Sequence, residues 1–500
     1  MGSQLLRTKS IDQLIAGTQQ PGRQLKKVLG PWSLAALGIG AIIGTGIFIL
    51  TGTAAAGEKL AYESLLKAPL LDVLLHGREA LAVTGRPGAG PAIALSFLLV
   101  AFACALAALC YAELASMIPV AGSAYTYTYT TLGEIFAWII GWDLILEYAV
   151  SNMAVAVGFS AYVDSLLQGF GLHLPRALIT PAYTPAAGWA LHFNLPGFLA
   201  VLILTVLLVI GIRESAGANT AMVAIKLVAI LVFVFAAVRF IQPVHWRPFM
   251  PNGWQGVLTG GAIVFFTYIG FDSVSTAAEE CRHPQRDLPF GILMSLGVCA
   301  TLYVTVAVVL TGIRPYQTFL GDAAPVASAL RAIGLEGVQR WVTLGALTGM
   351  VSSLLVFQLG QARVWFAMSR DGLLPRAFSR VHPRFRTPHI STGVAGFVVA
   401  IPAAIFDIGT LADLSNIGTL FAFALVSAGV LVLRRTQPQR VRAFRVPWVP
   451  WVPLVAIACC LVLMASLPVE TWLRFLIWLV IGLGIYFGYS WKRSELHRKT

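Results

Sequence analysis

The chain has 500 residues, 57% hydrophobic and only 11% charged, with 35 Lys and Arg against 22 Asp and Glu for a net charge of +13. A soluble protein carries about 25% charged residues, and a soluble chain of this size could not hide so much apolar surface in ordinary cores. A soluble globular class is excluded; the positive charge fits positive-inside loops and anionic lipid rather than nucleic acid.

Residues 1–30 are polar and carry Arg7, Lys9, Arg23, Lys26 and Lys27. No short apolar region with a small-residue cleavage site precedes the first apolar run, so they read as a cytoplasmic tail rather than a signal peptide. A membrane-crossing helix needs about 20 mostly apolar residues. Twelve such runs are predicted: 32–56, 91–118, 131–165, 195–212, 219–240, 255–280, 289–312, 340–367, 391–406, 410–433, 449–467 and 472–490. The third is long and expected to tilt; Asp407-Ile408-Gly409 links the ninth to the tenth, and 491–500 forms a second tail. With the N-terminus inside, "RHPQRDLP", "SRDGLLPRAFSRVHPRFR", "RRTQPQRVRAFR" and "WKRSELHRK" all lie inside. About 22 of the 35 basic residues then fall inside and about 11 outside, which satisfies the positive-inside rule and makes both termini cytoplasmic. The external loop 57–90 is long. Its apolar residues recur at roughly helical spacing, which suits a short interfacial helix, and a tolerated insertion without function is at least as good a reading. The six cysteines read as small buried hydrophobes, and the eight histidines fall in loops or tails without ligand spacing. No metal, cofactor or soluble domain is expected.

The first run contains "GIGAIIGTGIF", Gly38 to Phe48. Gly38, Gly40 and Gly44 give G-x-G-x-x-x-G, one residue too long for a dinucleotide fingerprint, and no strand-helix-strand unit surrounds them. No G-x-x-x-x-G-K-[ST] occurs either, so nucleotide binding is disfavoured. Gly40 and Gly44 fit tight helix packing through small residues. The third reading is a helix broken at Gly44-Thr45-Gly46, whose freed backbone groups are tolerable in hydrocarbon only where they line a protein cavity. Transporters built from inverted repeats show such interruptions at corresponding places in two halves. The sixth run, "GGAIVFFTYIGFDSVSTAAEE", is interrupted at Tyr268-Ile269-Gly270, five runs after the first, and this favours the broken helix.

Lys226, in "NTAMVAIKLVAILVFVF", is a charge inside the fifth run. A functional ionisable group and a lysine snorkelling to the interface are equally good readings of the residues alone. Asp143 and Glu147 stand four apart on one helix face, with a helix–helix hydrogen bond slightly ahead of a proton relay. Asp272, Glu279 and Glu113 look like gate or loop-anchoring groups, with Arg363 and Arg370 as candidate partners and no pairing assigned. The tyrosines of "YTYTYT", Tyr125 to Thr130, read as an interfacial aromatic belt.

"GIGAIIGTGIF", "YAELASMIPVAGSAYTYTY", "GWDLILEY", "GFDSVSTAAEECRHPQRDLPFGI" and "GQARVWFAMSRDGLLP", in that order, resemble the amino acid–polyamine–organocation (APC) transporter superfamily. They are most similar to bacterial members of its cationic amino acid transporter family, over nearly all of residues 25–490. The departures are the loop 57–90 and "CRHPQRDLP", where the family has an Asn before the Pro. The resemblance implies an all-α membrane protein of twelve transmembrane helices in an APC-type five-plus-five inverted repeat, with discontinuous helices 1 and 6. The repeats would cover 31–240 and 255–433, within a transport core of 31–433, followed by two additional helices over 449–490.

It also implies one amino acid bound at mid-membrane. Backbone N–H groups near Gly44, Thr45 and Gly46 would hold its carboxylate, and carbonyls of Ile42, Phe266, Thr267 and Ile269 its amino group, with Ile43 in the same break. Several relatives place a lysine at Lys226, beside helices 1 and 8, where sodium-coupled members of the fold bind sodium. Protonation of Lys226 would replace that ion and couple transport to the proton gradient, since burial penalises a charged lysine; Glu147 is a second candidate. The expected function is proton-coupled symport of L-amino acids, small neutral or broad in range, across the bacterial inner membrane. Uniport or exchange of arginine and lysine is the alternative, and a non-transporting amino acid sensor is the alternative from another class. An enzyme is not expected. The partners are substrate, proton and lipid bilayer, with no nucleic acid or nucleotide; a homo-oligomer or a small membrane-protein partner stays open.

Overall fold

A computed structural model describes residues 5–18, 27, 29–58, 64, 85–184, 188–210, 215–385 and 387–498. The helix expected in the 57–90 loop falls on residues 59–63 and 65–84, outside that set. The described chain is helical apart from two short antiparallel pairs, Gly57–Glu58 with Arg86–Pro87 and Tyr183–Thr184 with Gly188–Trp189. This follows from the solvent: in hydrocarbon each backbone N–H and C=O must be satisfied within the protein, and a helix does so locally.

A short N-terminal helix α1 (Ile11–Thr18) precedes the bent pair α2 (Pro31–Ile42) and α3 (Thr51–Ala56). Then come α4 (Ile93–Met117), α5 (Ser123–Thr131), α6 (Glu134–Gln168), α7 (Leu195–Ile210) and α8 (Ser215–Ala237). The second half holds α9 (Gly253–Val264), α10 (Pro284–Ile313), α11 (Pro325–Ala332), α12 (Glu336–Arg370), α13 (His389–Ile405) and α14 (Ile408–Thr436). The last helices are α15 (Trp451–Ala465) and α16 (Val469–Ile485). Among the described residues, eight helices are long and apolar enough to cross a membrane, or nine with the bent pair as one span. Three further apolar helices, α7, α13 and α15, are shorter, at 16, 17 and 15 residues.

The 35-residue α6 packs against α12 and α14, while α10 packs against α2 and α4. The α9 segment lies at the centre, 89% of its apolar window being buried, against 22% for the window over Val469–Arg493 at the rim. The rim helices turn Val228, Phe235, Ile477 and Val480 outward, the expected face toward lipid.

The tyrosine segment corrects the belt expectation. It is a separate helix, α5, with Tyr125, Tyr127 and Tyr129 all buried. Alternate residues on a helix point in different directions, so burial of all three requires neighbours all round. Tyr127 packs edge-on to Tyr111, Tyr125 donates to Asp371 at 2.7 Å, and Tyr129 donates to Glu134 at 2.9 Å. Burial, then the Asp371 carboxylate, push the Tyr125 hydroxyl well above its ordinary range, so it stays a donor.

The charged anchors pair across long stretches of chain. Buried Glu113 receives Arg434 at 2.6 and 2.8 Å, Arg442 at 3.1 Å and the Val446 N–H at 2.7 Å. Arg363 pairs with Glu280, and Glu279 accepts the Ala121 N–H at 3.1 Å. At the other face Arg86 bonds Glu58 at 2.7 Å and Asp413 at 3.0 Å; burial works against its charge, but the two carboxylates outweigh it and hold it protonated. Where the resemblance expects an Asn before Pro284, His283 stands at the start of α10 with no side-chain cap.

Candidate functional site

The first break lies between α2 and the π-helical turn Gly46–Leu50 that leads into α3, with a bend of 44°. Ile43 leaves helical geometry at φ −81°, ψ 90°, and Gly44 donates to the Ile42 carbonyl at 3.0 Å. The second break follows α9. The chain tightens to a 3-10 helix over Phe265–Tyr268, extends at Ile269, turns at Gly270 and rewinds over Phe271–Glu280. Gly270 sits at φ +124°, which a side chain would strain.

The breaks touch. A Cβ on Gly46 would lie 2.6 Å from Thr267 Cγ2 and 2.9 Å from its Cα; a Cβ on Gly270 would lie 2.8 Å from Ala41 Cβ. Ile42, Ile43, Gly44, Thr45, Gly46, Phe266, Thr267 and Ile269 therefore form one buried locus. Its carbonyls have partners within the protein. The Tyr303 hydroxyl, on α10, is 2.9 Å from the Ile42 carbonyl and 2.8 Å from that of Thr267. Phe266 O accepts the Ile269 N–H at 3.3 Å, and Thr45 Oγ1 donates to Val155 O of α6 at 3.3 Å.

Lys226, on α8, does not reach for the interface. It is fully buried, and Nζ donates to Gly40 O and Ile43 O, both at 2.8 Å. These carbonyls belong to the end of α2, where the helix dipole is negative and a cation is favoured. Ser353 Oγ, on α12, joins the same cluster at 2.9 Å from Gly40 O and 3.1 Å from Ile43 O. One cation and one hydroxyl thus hold the helix end at the point where its own hydrogen bonding stops.

Glu147 belongs to a different cluster. Asp143 and Glu147 on α6 and Asp272 beyond the second break are all buried. Tyr148 donates to Asp272 Oδ2 at 2.9 Å, but both oxygens of Asp143, both of Glu147 and Oδ1 of Asp272 have no hydrogen-bond partner. Burying three carboxyl groups with so few donors is costly.

Tyr303, Ser353 and the pair Asn219–Ser352 (2.9 Å) adjoin the first break and were not singled out from the sequence. Their signal was weak: Ser352 and Ser353 are neighbours, Asn219 precedes Thr220 and Tyr303 lies between Thr301 and Thr305, so none stands out alone as Lys226 does. A hydroxyl costs so little to bury once bonded to a carbonyl that the pattern rarely singles out one serine.

Residues 29–486 match the family described as amino acid permease. The branched-chain amino acid permease BcaP of Bacillus subtilis (strain 168) is 47% identical over 498 residues, covering 100% of both chains. The methylthioribose transporter of the same organism is 44% identical over 497 residues, covering 99% of this chain and 100% of the relative. The vacuolar cationic amino acid transporter 4 of Arabidopsis thaliana is 37% identical over 444 residues, covering 87% of this chain and 68% of the relative.

Proposed function

Because this chain belongs to the amino acid permease family, we propose that it carries L-amino acids across the bacterial plasma membrane by proton-coupled secondary transport. The observation that carries the reading is the contact between two helix breaks, which brings two interrupted helices together at one buried locus. Alternating access would proceed by rocking one five-helix repeat (31–240) against the other (255–433), with 449–490 as two extra spans, twelve in all, and both termini cytoplasmic.

The restarting helix at Thr45 and Gly46 offers N–H groups and a positive dipole end to the substrate carboxylate. The carbonyls of Ile42, Phe266, Thr267 and Ile269 receive its ammonium group, and the Tyr303 hydroxyl gives way when they do. Lys226 couples the proton. In its charged form it clamps Gly40 and Ile43; loss of the proton removes the charge that makes both bonds strong and frees the helix end beside the substrate. Glu147, between Asp143 and Asp272, relays protons toward the cytoplasm.

Uncharged side chains are the favoured cargo, since the two relatives of matching length are named for a branched-chain amino acid and for methylthioribose. A second reading, transport of arginine and lysine, draws on the unpartnered carboxylates near the second break and on plant relatives named cationic amino acid transporters. A competition screen of all twenty L-amino acids on purified protein separates the two: leucine, isoleucine, valine or smaller neutral residues compete under the first, arginine and lysine under the second. Uptake of the winner into proteoliposomes should rise with an inside-alkaline pH gradient. Uptake indifferent to that gradient sinks the proton-coupled reading.

A further inference from the structure

On the face that carries the N-terminal segment, α12 ends at Arg370 and the chain turns through Asp371–Pro375. This turn is fastened to the C-terminal segment. Ser490 Oγ donates to Leu373 O at 2.6 Å, Glu495 N donates to Asp371 O at 3.1 Å, and Gly372 sits directly against the Arg493 carbonyl. Between the two segments lies a cavity of about 730 Å³, whose walls include Arg370, Arg376, Arg493, Ser379, Tyr489 and a single acidic residue, Glu495. Ligand sites commonly fall in the range of about 300–1,000 Å³.

The charge balance of this cavity is unusual for its surroundings. Arg363, Arg434, Arg440 and Arg442 on the same face are each in an ion pair. Among the described residues none of Arg370, Arg376 and Arg493 is; the Arg493 guanidinium lies over the Tyr489 ring, 4.2 Å from its centroid. Three arginines therefore line one space with one acidic residue among them. Guanidinium forks match the oxygens of a phosphate and bind it in pairs of parallel hydrogen bonds. The height of the cavity adds a second constraint. Arg370 closes one membrane-crossing helix and Tyr489 lies in the last turns of another, Val469–Arg493. The cavity thus lies at the ends of two membrane-crossing helices, the height at which basic pockets between helices hold anionic lipid.

We propose that this pocket binds a phosphate-bearing anion through Arg370, Arg376 and Arg493, with the headgroup of an anionic phospholipid as the source that its position favours. The pocket wall is the turn that carries Asp371, which bonds Lys9 at 2.6 Å and Tyr125 at 2.7 Å, so an occupant braces that turn from outside.

The test uses the full chain in uncharged detergent, titrated with phosphatidylglycerol, phosphatidylcholine or glycerol 3-phosphate, with native mass spectrometry and thermal unfolding as readouts. Arg376 and Arg493 are exposed, so R376Q/R493Q should fold. Phosphatidylglycerol should bind in preference to phosphatidylcholine, at least about tenfold more weakly in R376Q/R493Q, and more tightly in E495Q, which removes the opposing charge. R384Q, an exposed arginine outside the pocket, should leave binding unchanged. Binding of glycerol 3-phosphate that is lost in R376Q/R493Q supports the same recognition and assigns a soluble source. Equal binding of both lipids with no binding of glycerol 3-phosphate, or a preference that survives R376Q/R493Q or falls equally in R384Q, overturns it.

Discussion

Gly46→Ala adds one methyl group at the contact between the two breaks. The new Cβ would stand 2.6 Å from Thr267 Cγ2, 2.8 Å from its Cβ and 2.9 Å from its Cα. Carbon atoms rest at about 3.5–4.0 Å, so the breaks must part by about 0.9 Å. Rotating Thr267 relieves only the Cγ2 contact, because Cα is backbone. Overpacking of this kind costs about 1–3 kcal/mol, and a displacement of about 1 Å in a positioning site costs about a hundredfold. Substrate binding should weaken by about 10- to 100-fold, or about 1.4–2.8 kcal/mol. The assay is binding of labelled substrate to purified protein, with thermal unfolding as a check that the fold persists. T267A in the same chain should restore part of the loss, giving non-additive energies. A folded G46A protein that binds within twofold of the parent would refute the claim that this contact shapes the site.

Tyr303→Phe removes the hydroxyl shared by the Ile42 and Thr267 carbonyls, leaving a buried acceptor short of a donor at about 1–3 kcal/mol. The unliganded protein should melt lower, and substrate should raise its melting point more than in the parent; a smaller ligand-induced rise would contradict the assignment of those carbonyls. Glu113→Ala strands Arg442, only 2% exposed, and should cost about 3–5 kcal/mol of stability. Its unfolding midpoint should fall well below that of E495Q, whose acid is exposed, and equal midpoints would show that the Glu113 cluster is not structural. Asp272→Asn should leave binding of neutral substrates within a few-fold if the carboxylates serve protons, whereas selective loss of arginine binding would favour the cationic reading.

The breaks were legible because glycine placement carries them. Gly44-Thr45-Gly46 and Gly270 interrupt otherwise apolar runs, and the chain bends or turns at both. Lys226 was legible as an anomaly, but its acceptors were not: Gly40 and Ile43 are ordinary backbone, 186 and 183 residues away. The same distance effect hid the partners of Glu113, more than 320 residues distant, and of Arg363. The tyrosine segment misled because an aromatic stretch beside an apolar run fits both a belt and a buried helix; only the packing of α5 against its neighbours separates them. Helix α11 was missed, since at 8 residues it has too few turns to show a period. The ends of α12 and α14 ran a few residues beyond the apolar runs, because a helix continues past the hydrocarbon boundary until a turn or proline stops it, whereas α16 stops at Ile485, inside its run, where the π-helical turn Tyr486–Ser490 begins.

The proposed role of Lys226 is to link protonation to the helix break that holds substrate. The direct measurement compares Lys226→Ala with the parent in proteoliposomes, reading accumulation under an inside-alkaline pH gradient beside substrate exchange with no gradient. K226A should lose gradient-driven accumulation while retaining binding or exchange of the same substrate. Accumulation that follows the pH gradient as well in K226A as in the parent would contradict it.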